Sequence, residues 1–308
     1  MQPPLVVLTG ATAVGKTELA LALAARLDAE IVSADSRQVY RYMDVGTAKP
    51  SAAERAAVPH HLVDVAYPDQ PYSVVEYQRA ATRTLAAIAA RGRPALLVGG
   101  SPHYLQAVVD RIQPAGGSRP LRAWLERADA GDRGHERLDA WLRALDPEAA
   151  ERIDRQNRRR VLRALEVTLA NGYPFSQVGR TREAALPATW IGLRRPRPAL
   201  HARIGGRIAA MLAAGWLDEV RVLLAMGFAP TLPAMSATGY REMVRVVRGE
   251  LELTEAVTQV QRATNAFVRR QETWLRADPR VHWLDADAPN LVDQALVAIE
   301  TDAQPAER

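Results

Sequence analysis

The feature that most constrains this chain is the run Gly10-Ala11-Thr12-Ala13-Val14-Gly15-Lys16-Thr17, which satisfies G-x-x-x-x-G-K-[ST] at every fixed position. Its surroundings are those a phosphate-binding loop requires. The apolar run 5–8 reads as a buried strand, and residues 18–27, rich in Ala and Leu, read as a helix. A strand feeding a glycine loop that opens a helix aims successive backbone N–H groups at one point, and the helix dipole adds positive potential there. Gly10 and Gly15 let the backbone come close to a phosphate with no side chain between them. Lys16 supplies a mobile ammonium, and Thr17 a hydroxyl suited to Mg²⁺. The loop is expected to bind a phosphate chain. Whether that chain belongs to ATP, to GTP or to the diphosphate of another molecule is open at this point.

The rest of the sequence narrows the choice. At 308 residues it suggests one large domain with an attachment, and a hydrophobic content of 48% is ample for a packed core. No apolar run is long enough to span a bilayer, and the first strand begins almost at once, so neither a membrane span nor a signal peptide is expected. The absence of cysteine excludes disulfides and thiolate metal sites, which suits a cytoplasmic protein. Lys plus Arg exceed Asp plus Glu only by 40 to 35. Arginines nevertheless crowd the middle and C-terminal half, a distribution that suits a polyanionic partner or reflects a biased genome.

Strand and helix patterns alternate over the first hundred residues or so. Residues 30–33 and 95–100 read as strands, and 74–90 as a helix stopped by Arg91-Gly92-Arg93-Pro94. This alternation argues for an α/β fold, a parallel sheet with helices on both faces. Ligands then sit at the carboxyl ends of the strands, where the loop, Asp35 and Ser101 converge. From Gly116 the strand signals vanish. Residues 121–145 and 147–169 read as two amphipathic helices, the second capped at Asn171-Gly172. Residues 191–193 read as a returning strand, 200–226 and 254–276 as long helices, and 281–284 as a last strand. The expected organisation is a discontinuous core, 1–115 with 186–300, an all-helical insertion at 116–185, and a disordered tail at 301–308. Arg158-Arg159-Arg160 and Arg163 lie on the second insertion helix. Arg159 and Arg163 share a face opposite Val161, Leu162 and Leu165. Judged on charge alone, a solvated face and a nucleic-acid contact fit equally well.

Several short motifs then occur in a fixed order: Asp35-Ser36-Arg37-Gln38-Val39-Tyr40, Met43-Asp44-Val45-Gly46-Thr47-Ala48-Lys49-Pro50, Pro59-His60-His61-Leu62-Val63-Asp64, Arg163-Ala164-Leu165-Glu166-Val167, Gly239-Tyr240-Arg241-Glu242 and Arg270-Gln271-Glu272-Thr273-Trp274-Leu275-Arg276. Together with the phosphate loop they resemble the bacterial tRNA dimethylallyltransferases, the tRNA isopentenyltransferase family, from the first strand to about Leu284. The resemblance implies transfer of a dimethylallyl group from dimethylallyl diphosphate to the exocyclic amine of the adenosine immediately 3′ of the anticodon in tRNA. It implies Mg²⁺ dependence, with Thr17 as the metal's protein ligand, and a loop that holds the prenyl diphosphate, so that no ATP is consumed. The partners it implies are the donor and a tRNA anticodon stem-loop, and the chain is expected to act as a monomer.

The residue types suit that chemistry. An aromatic amine is a weak nucleophile until a base removes its proton as the new bond forms. Asp35 matches the family's proposed base; as a residue type at a strand end it also suits a partner of Mg²⁺. Lys16, the loop amides and a Thr17-bound Mg²⁺ suit the charge developing on the leaving diphosphate. Ser101 stands where the family usually carries Thr and suits orientation of the base or the amine. Arg207 matches a family arginine on the diphosphate, though a surface arginine with a snorkelling stem fits the sequence too. The family's tRNA-contacting segments map onto Asp35, Ser36, Arg37 and Gln38, onto Ser101, onto Arg159, Arg160, Val161, Leu162 and Arg163, and onto Ser236, Ala237, Thr238, Gly239, Tyr240 and Arg241. Gln38 has an amide for a base edge, the arginines suit phosphates, and Tyr240 suits either stacking on RNA or the core. The target base must be extruded from its stack to react. Ala11 replaces a usual Pro, Pro102-His103 a common Gly-Leu, and Ser236 and Asn265 frequent arginines. Two other classes remain: a prenyltransferase acting on free AMP, which has little use for the insertion and its arginines, and a P-loop kinase or GTPase, whose apolar strand would normally end in Asp where this chain has Gly99-Gly100-Ser101.

Overall fold

The structure is a computed structural model that describes residues 5–112, 115–178 and 185–303. In chain order its elements are β1 (Leu5–Gly10), α1 (Lys16–Leu27), β2 (Glu30–Ser33), α2 (Ala52–Ala57), β3 (His60–His61), α3 (Val74–Ala90), β4 (Ala95–Val98), α4 (Pro102–Val109), α5 (Arg119–Ala130), α6 (Gly134–Leu145), α7 (Pro147–Arg152), α8 (Arg158–Asn171), β5 (Thr189–Arg194), α9 (Arg197–Ala213), α10 (Trp216–Ala225), α11 (Tyr240–Val247), α12 (Leu253–Arg276), β6 (Val281–Asp285) and α13 (Leu291–Ala303). They divide into two compact units, 1–109 with 186–308, and 110–185.

The first unit is built on a six-stranded sheet in the order β3-β2-β4-β1-β5-β6. Every pairing in it is parallel. Parallel strands covered on both faces read as continuous apolar runs, and Val6, Val7 and Leu8 of the central β1 are fully buried. The chain leaves β1 for β2, β3 and β4 on one side of it and returns to β5 and β6 on the other. The carboxyl ends of β1, β2 and β4 thus open onto one crevice. At the end of β4 the pairing stops at Val98, two residues short of the expected 95–100. Gly99 passes so close to β2 that a Cβ there would lie 2.2 Å from the Ala34 carbonyl oxygen. Helix starts are chemically marked: Ser51 with Glu54 and Ser73 with Glu76 form reciprocal capping boxes at α2 and α3.

The long helix expected at 200–226 is two, because Gly215 adopts φ 91° and starts α10 afresh. The same correction applies twice in the second unit. The stretch 121–145 breaks at Gly131, which is extended, and Arg133, which takes φ 50°. The stretch 147–169 breaks where Ile153 is extended and the Asn157 side chain accepts from the Arg160 amide to start α8. The four helices α5 to α8 close over Leu125, Leu138, Leu142 and Leu165. Half-buried Arg158 ties α8 to α6 and α5, bonding Asp139 at 2.7 Å and Asp129 at 3.1 Å. Residues 110–112 and 115, read from sequence as part of the end of the core, fall with this helical unit. Residues 301–303 continue α13 rather than forming a disordered tail, and 304–308 lie outside the described residues.

Candidate active site

The phosphate loop is held by its carbonyls. Lys16 Nζ donates to the carbonyls of Gly10 at 3.0 Å and Ala11 at 2.8 Å. Arg203 on α9 donates to Ala13 at 2.9 Å, and Arg195 after β5 to Val14 at 3.3 Å. A trans peptide unit points its C=O and N–H in opposite directions, so Arg195 on the Val14 carbonyl leaves the Gly15 amide for an anion, whereas the Thr12 and Val14 amides are engaged within the protein. Gly10, at φ 142°, lies so near β5 that a Cβ would come within 2.7 Å of the Leu193 carbonyl oxygen. Gly15, at φ 115°, is the N-cap of α1 and offers no side chain to its first turn. The opening N–H groups of α1 therefore have neither an intrahelical partner nor a cap, which is the arrangement that binds phosphate.

A cavity of about 410 Å³ opens beside the loop, and it lies wholly within the first unit. Lys16, Arg37, Arg207 and Arg270 line it against a single carboxylate, Asp35. Burial, and then the neighbouring Arg207, lower the Lys16 ammonium to a pKa of about 8, against a smaller upward pull from Asp35. The Arg207 guanidinium is also pulled down, chiefly by burial. It forms no hydrogen bond or ion pair among the described residues, and a half-buried cation with no protein partner at a cavity wall suits an anionic ligand. Asp35 stands just beyond β2. Its Oδ1 accepts from the Arg37 amide at 2.7 Å and the Gln38 amide at 3.4 Å, an Asx turn that fixes the carboxyl plane. Ser101, just beyond β4, shares the cavity wall. An apolar stretch of the wall is formed by Ile204, Ile208 and Met211 from α9, Trp216 from α10, and Val260 and Phe267 from α12, with the polar Thr264 and Gln271 of α12 beside it. The cavity thus joins a cationic end, a carboxylate and a small hydrophobic surface.

Residues 38–278 match the family described as IPP transferase, and residues 3–65 match the one described as Isopentenyl transferase. The chain belongs to the IPP transferase family. Among its relatives, a protein named tRNA dimethylallyltransferase from Roseiflexus castenholzii is 51% identical over 95% of this chain and 96% of the relative. One of the same name from Nocardioides sp. is 47% identical over 96% of each. A crystal structure of the full-length tRNA isopentenylpyrophosphate transferase from Bacillus halodurans is 34% identical, covers 98% of both chains and superposes with a TM-score of 0.71. A eukaryotic dimethylallyltransferase acting on tRNA, at 23% identity and a TM-score of 0.83, shares the fold.

In this IPP transferase, Lys16, Asp35, Ser101 and Arg207 line one cavity, as do Thr12, Ala13, Ser36, Arg37, Ala237 and Thr238. Thr17 is exposed at the start of α1 and Ala11 is buried beneath the loop. Other residues named from sequence are placed differently. Tyr240 is fully buried, edge-on to Trp216 at 5.8 Å, and donates to Glu219 at 2.6 Å, so it belongs to the core and does not stack on RNA. Gly239 packs against the same indole. Val161 and Leu162 are buried in the helical unit and have no side-chain surface for RNA. Arg163 bonds the Ala115 carbonyl at 2.8 Å and Glu166 at 3.1 Å, whereas Arg159, Arg160 and Arg241 are exposed. The Gln38 amide accepts from Ser33 at 3.0 Å and donates to the Ala48 carbonyl at 3.0 Å, so both its ends are engaged inside the protein. The Ser236 hydroxyl donates to the Pro233 carbonyl at 2.6 Å.

Several residues that build the site carry no sequence signal of their own. Arg195 and Arg203 read as surface arginines. Glu219 looks like any helix carboxylate, yet it accepts from the amides of Asp44 and Val45 at 2.6 Å and of Gly46 at 3.1 Å, which shapes the segment bearing the cavity residues Gly46 and Thr47. Trp216 Nε1 is buried without a partner at the cavity wall. No cluster of three acidic or His residues suited to a metal occurs among the described residues. The hard oxygen donors near the loop include the Thr17 hydroxyl at the start of α1 and the Asp35 carboxylate at the cavity wall, a set that fits a Mg²⁺ whose remaining ligands are phosphate oxygens and water. No helix among the described residues is long and apolar enough to cross a membrane.

Proposed function

We infer that this chain transfers a dimethylallyl group from dimethylallyl diphosphate to the exocyclic amine of the adenosine 3′ of the anticodon in tRNA, releasing diphosphate. The observation that carries this reading is the cavity in which a phosphate loop, an oriented carboxylate and an apolar wall meet. That wall suits the apolar tail of a prenyl donor, and the relatives supply the acceptor by their names. The diphosphate occupies the free loop amides and the half-buried cations Lys16 and Arg207, while the five-carbon tail lies along the side chains of α9, α10 and α12. The amine nitrogen attacks the carbon bonded to the diphosphate oxygen. As the carbon–nitrogen bond forms and the carbon–oxygen bond breaks, Asp35 takes the proton that the amine loses. The electron pair of the broken bond leaves on diphosphate, where Lys16 and Arg207 meet the charge as it develops. Thr17 would hold Mg²⁺ against the diphosphate, and the ion would supply further charge neutralisation there. Ser101 would orient the amine or the base from the end of β4.

On the helical unit Arg159 and Arg160 suit phosphate contacts with tRNA, and on the first unit Ser36, Arg37, Thr238 and Arg241 suit contact with it. The protein acts in the cytoplasm as a monomer on this reading. Incubation with labelled dimethylallyl diphosphate, offering tRNA, AMP or no acceptor in parallel, tests it. Label in tRNA at that adenosine, with no nucleoside triphosphate added, is the expected result. Label in AMP alone, or ATP hydrolysis at a rate matching product formation, overturns it.

A further inference from the structure

Gln271 on α12 is buried at 3% exposure, and its amide joins two parts of the site that the chain separates widely. Its Oε1 accepts from the backbone N–H of Thr12, in the phosphate loop, at 3.0 Å. Its Nε2 donates to the carbonyl of Gly100 at 2.7 Å, immediately before Ser101. The approach at Gly100 is close enough that a Cβ there would lie 2.4 Å from the Gln271 amide nitrogen. One end of the amide therefore holds the strand-to-loop turn that carries the donor, and the other holds the strand end that carries the acceptor-side hydroxyl. Neither hydrogen bond belongs to a helix or to the sheet ladder.

We propose that Gln271 is a positioning residue that sets the spacing between the diphosphate loop and the end of β4, and with it the alignment of acceptor amine against the reacting carbon. This role follows from the geometry of the site and rests on the activity inferred above. In-line displacement needs the nucleophile and the leaving group on opposite sides of one carbon, and a misplacement of about 1 Å is enough to cost about 10²-fold in rate. A primary amide suits the task because it offers an acceptor and a donor a fixed distance apart on a planar group. Thr12 presents a donor and Gly100 an acceptor, so the order of the two amide atoms is dictated. Bonding the Thr12 amide also removes it from the diphosphate, so Gln271 acts on where the loop stands and not on how many amides bind the donor. Its loss therefore falls on kcat more than on donor affinity.

Two substitutions test this in the full chain with labelled donor and tRNA. Gln271→Met keeps length and burial but makes neither bond. The expected result is a fall in kcat of about 10- to 100-fold, with donor KM within about threefold of the unmodified chain. Gln271→Glu keeps an acceptor for Thr12, but its ionised form has no hydrogen for the Gly100 carbonyl; its protonated form does, and burial favours that form. The ratio of its kcat to that of the unmodified chain should therefore rise as pH is lowered from about 9 to about 6, a ratio that cancels the titration of groups common to both. A purely structural role gives a lower melting temperature with no such pH-dependent recovery. Unchanged kcat in a folded Gln271→Met chain, or a flat Gln271→Glu ratio, overturns the inference alone. Absence of transfer by the unmodified chain overturns both it and the reading it rests on.

Discussion

Donor affinity should fall as Lys16 loses its proton, at a pH well below that at which an ordinary lysine titrates. In the free protein the Lys16 pKa is about 8, lowered first by burial and then by Arg207. A diphosphate binds the protonated form, so the apparent Kd rises as one plus the ratio of neutral to charged Lys16. At pH 8 the factor is about twofold, at pH 9 about tenfold and at pH 10 about a hundredfold; a lysine at its reference value would show its first doubling only near about pH 10.4. The donor's own phosphates add nothing in this window, since their last ionisation is complete above a pKa of about 6. Isothermal titration in buffers of differing ionisation enthalpy should record uptake of about half a proton per donor bound at pH 8. Lys16→Arg should abolish the pH dependence, because a guanidinium stays charged throughout. A Kd that is flat to pH 9.5 with no proton uptake, or a Lys16→Arg chain that keeps the dependence, refutes the reasoning. The same shift has a consequence without donor. The folded pKa of about 8 lies below the ordinary lysine value of 10.5, so the unfolded chain binds more protons between them. Stability should thus rise with pH across that window, and the rise should be missing from Lys16→Met in chemical denaturation.

Asp35→Asn keeps the turn to the Arg37 and Gln38 amides but removes the proton acceptor, so kcat should fall by about 10²–10⁴-fold with substrate affinities little changed; substantial recovery by added Mg²⁺ would instead mark Asp35 as a partner of the metal. Arg159→Ala should lower the log–log salt slope of tRNA binding by about 0.7–0.9. Arg163→Ala, already bonded to Ala115 and Glu166, should reduce that slope less and lower the melting temperature instead; equal slope changes in filter-binding assays would contradict this. Gly46→Ala should destabilise by about 1–3 kcal/mol or more in urea unfolding, since its Cβ would lie 2.0 Å from Trp216 Nε1; wild-type stability would show that the indole moves aside freely.

The phosphate loop was legible because its function depends on local geometry. A strand, two glycines and a helix start lie within a dozen or so residues, so the pattern that binds phosphate is also a pattern in sequence. The parallel sheet was legible for a related reason, since buried parallel strands such as β1 and β4 are continuous apolar runs. Helix boundaries were less so. Apolar periodicity runs straight through Gly215 and through 153–157, where backbone conformation and a side-chain cap break the helix without interrupting the period.

The sequence by itself also named Lys16, through the phosphate-loop pattern, and Asp35, Ser101 and Arg207, through the resemblance to the family that the ordered motifs carry. What it does not contain is which side chains of those motifs face the cavity. Tyr240 and Gln38 carry groups suited to RNA, but Glu219 takes the phenol of one, and Ser33 and Ala48 the amide of the other. Only the tertiary structure decided that, because each partner arrives from a different element. The same holds for Arg195, Arg203 and Gln271, which reach the phosphate loop from β5, α9 and α12. A contact between residues 12 and 271 leaves no mark on the local pattern around either, since hydrogen-bond partners are selected by proximity in space and the sequence records only proximity along the chain.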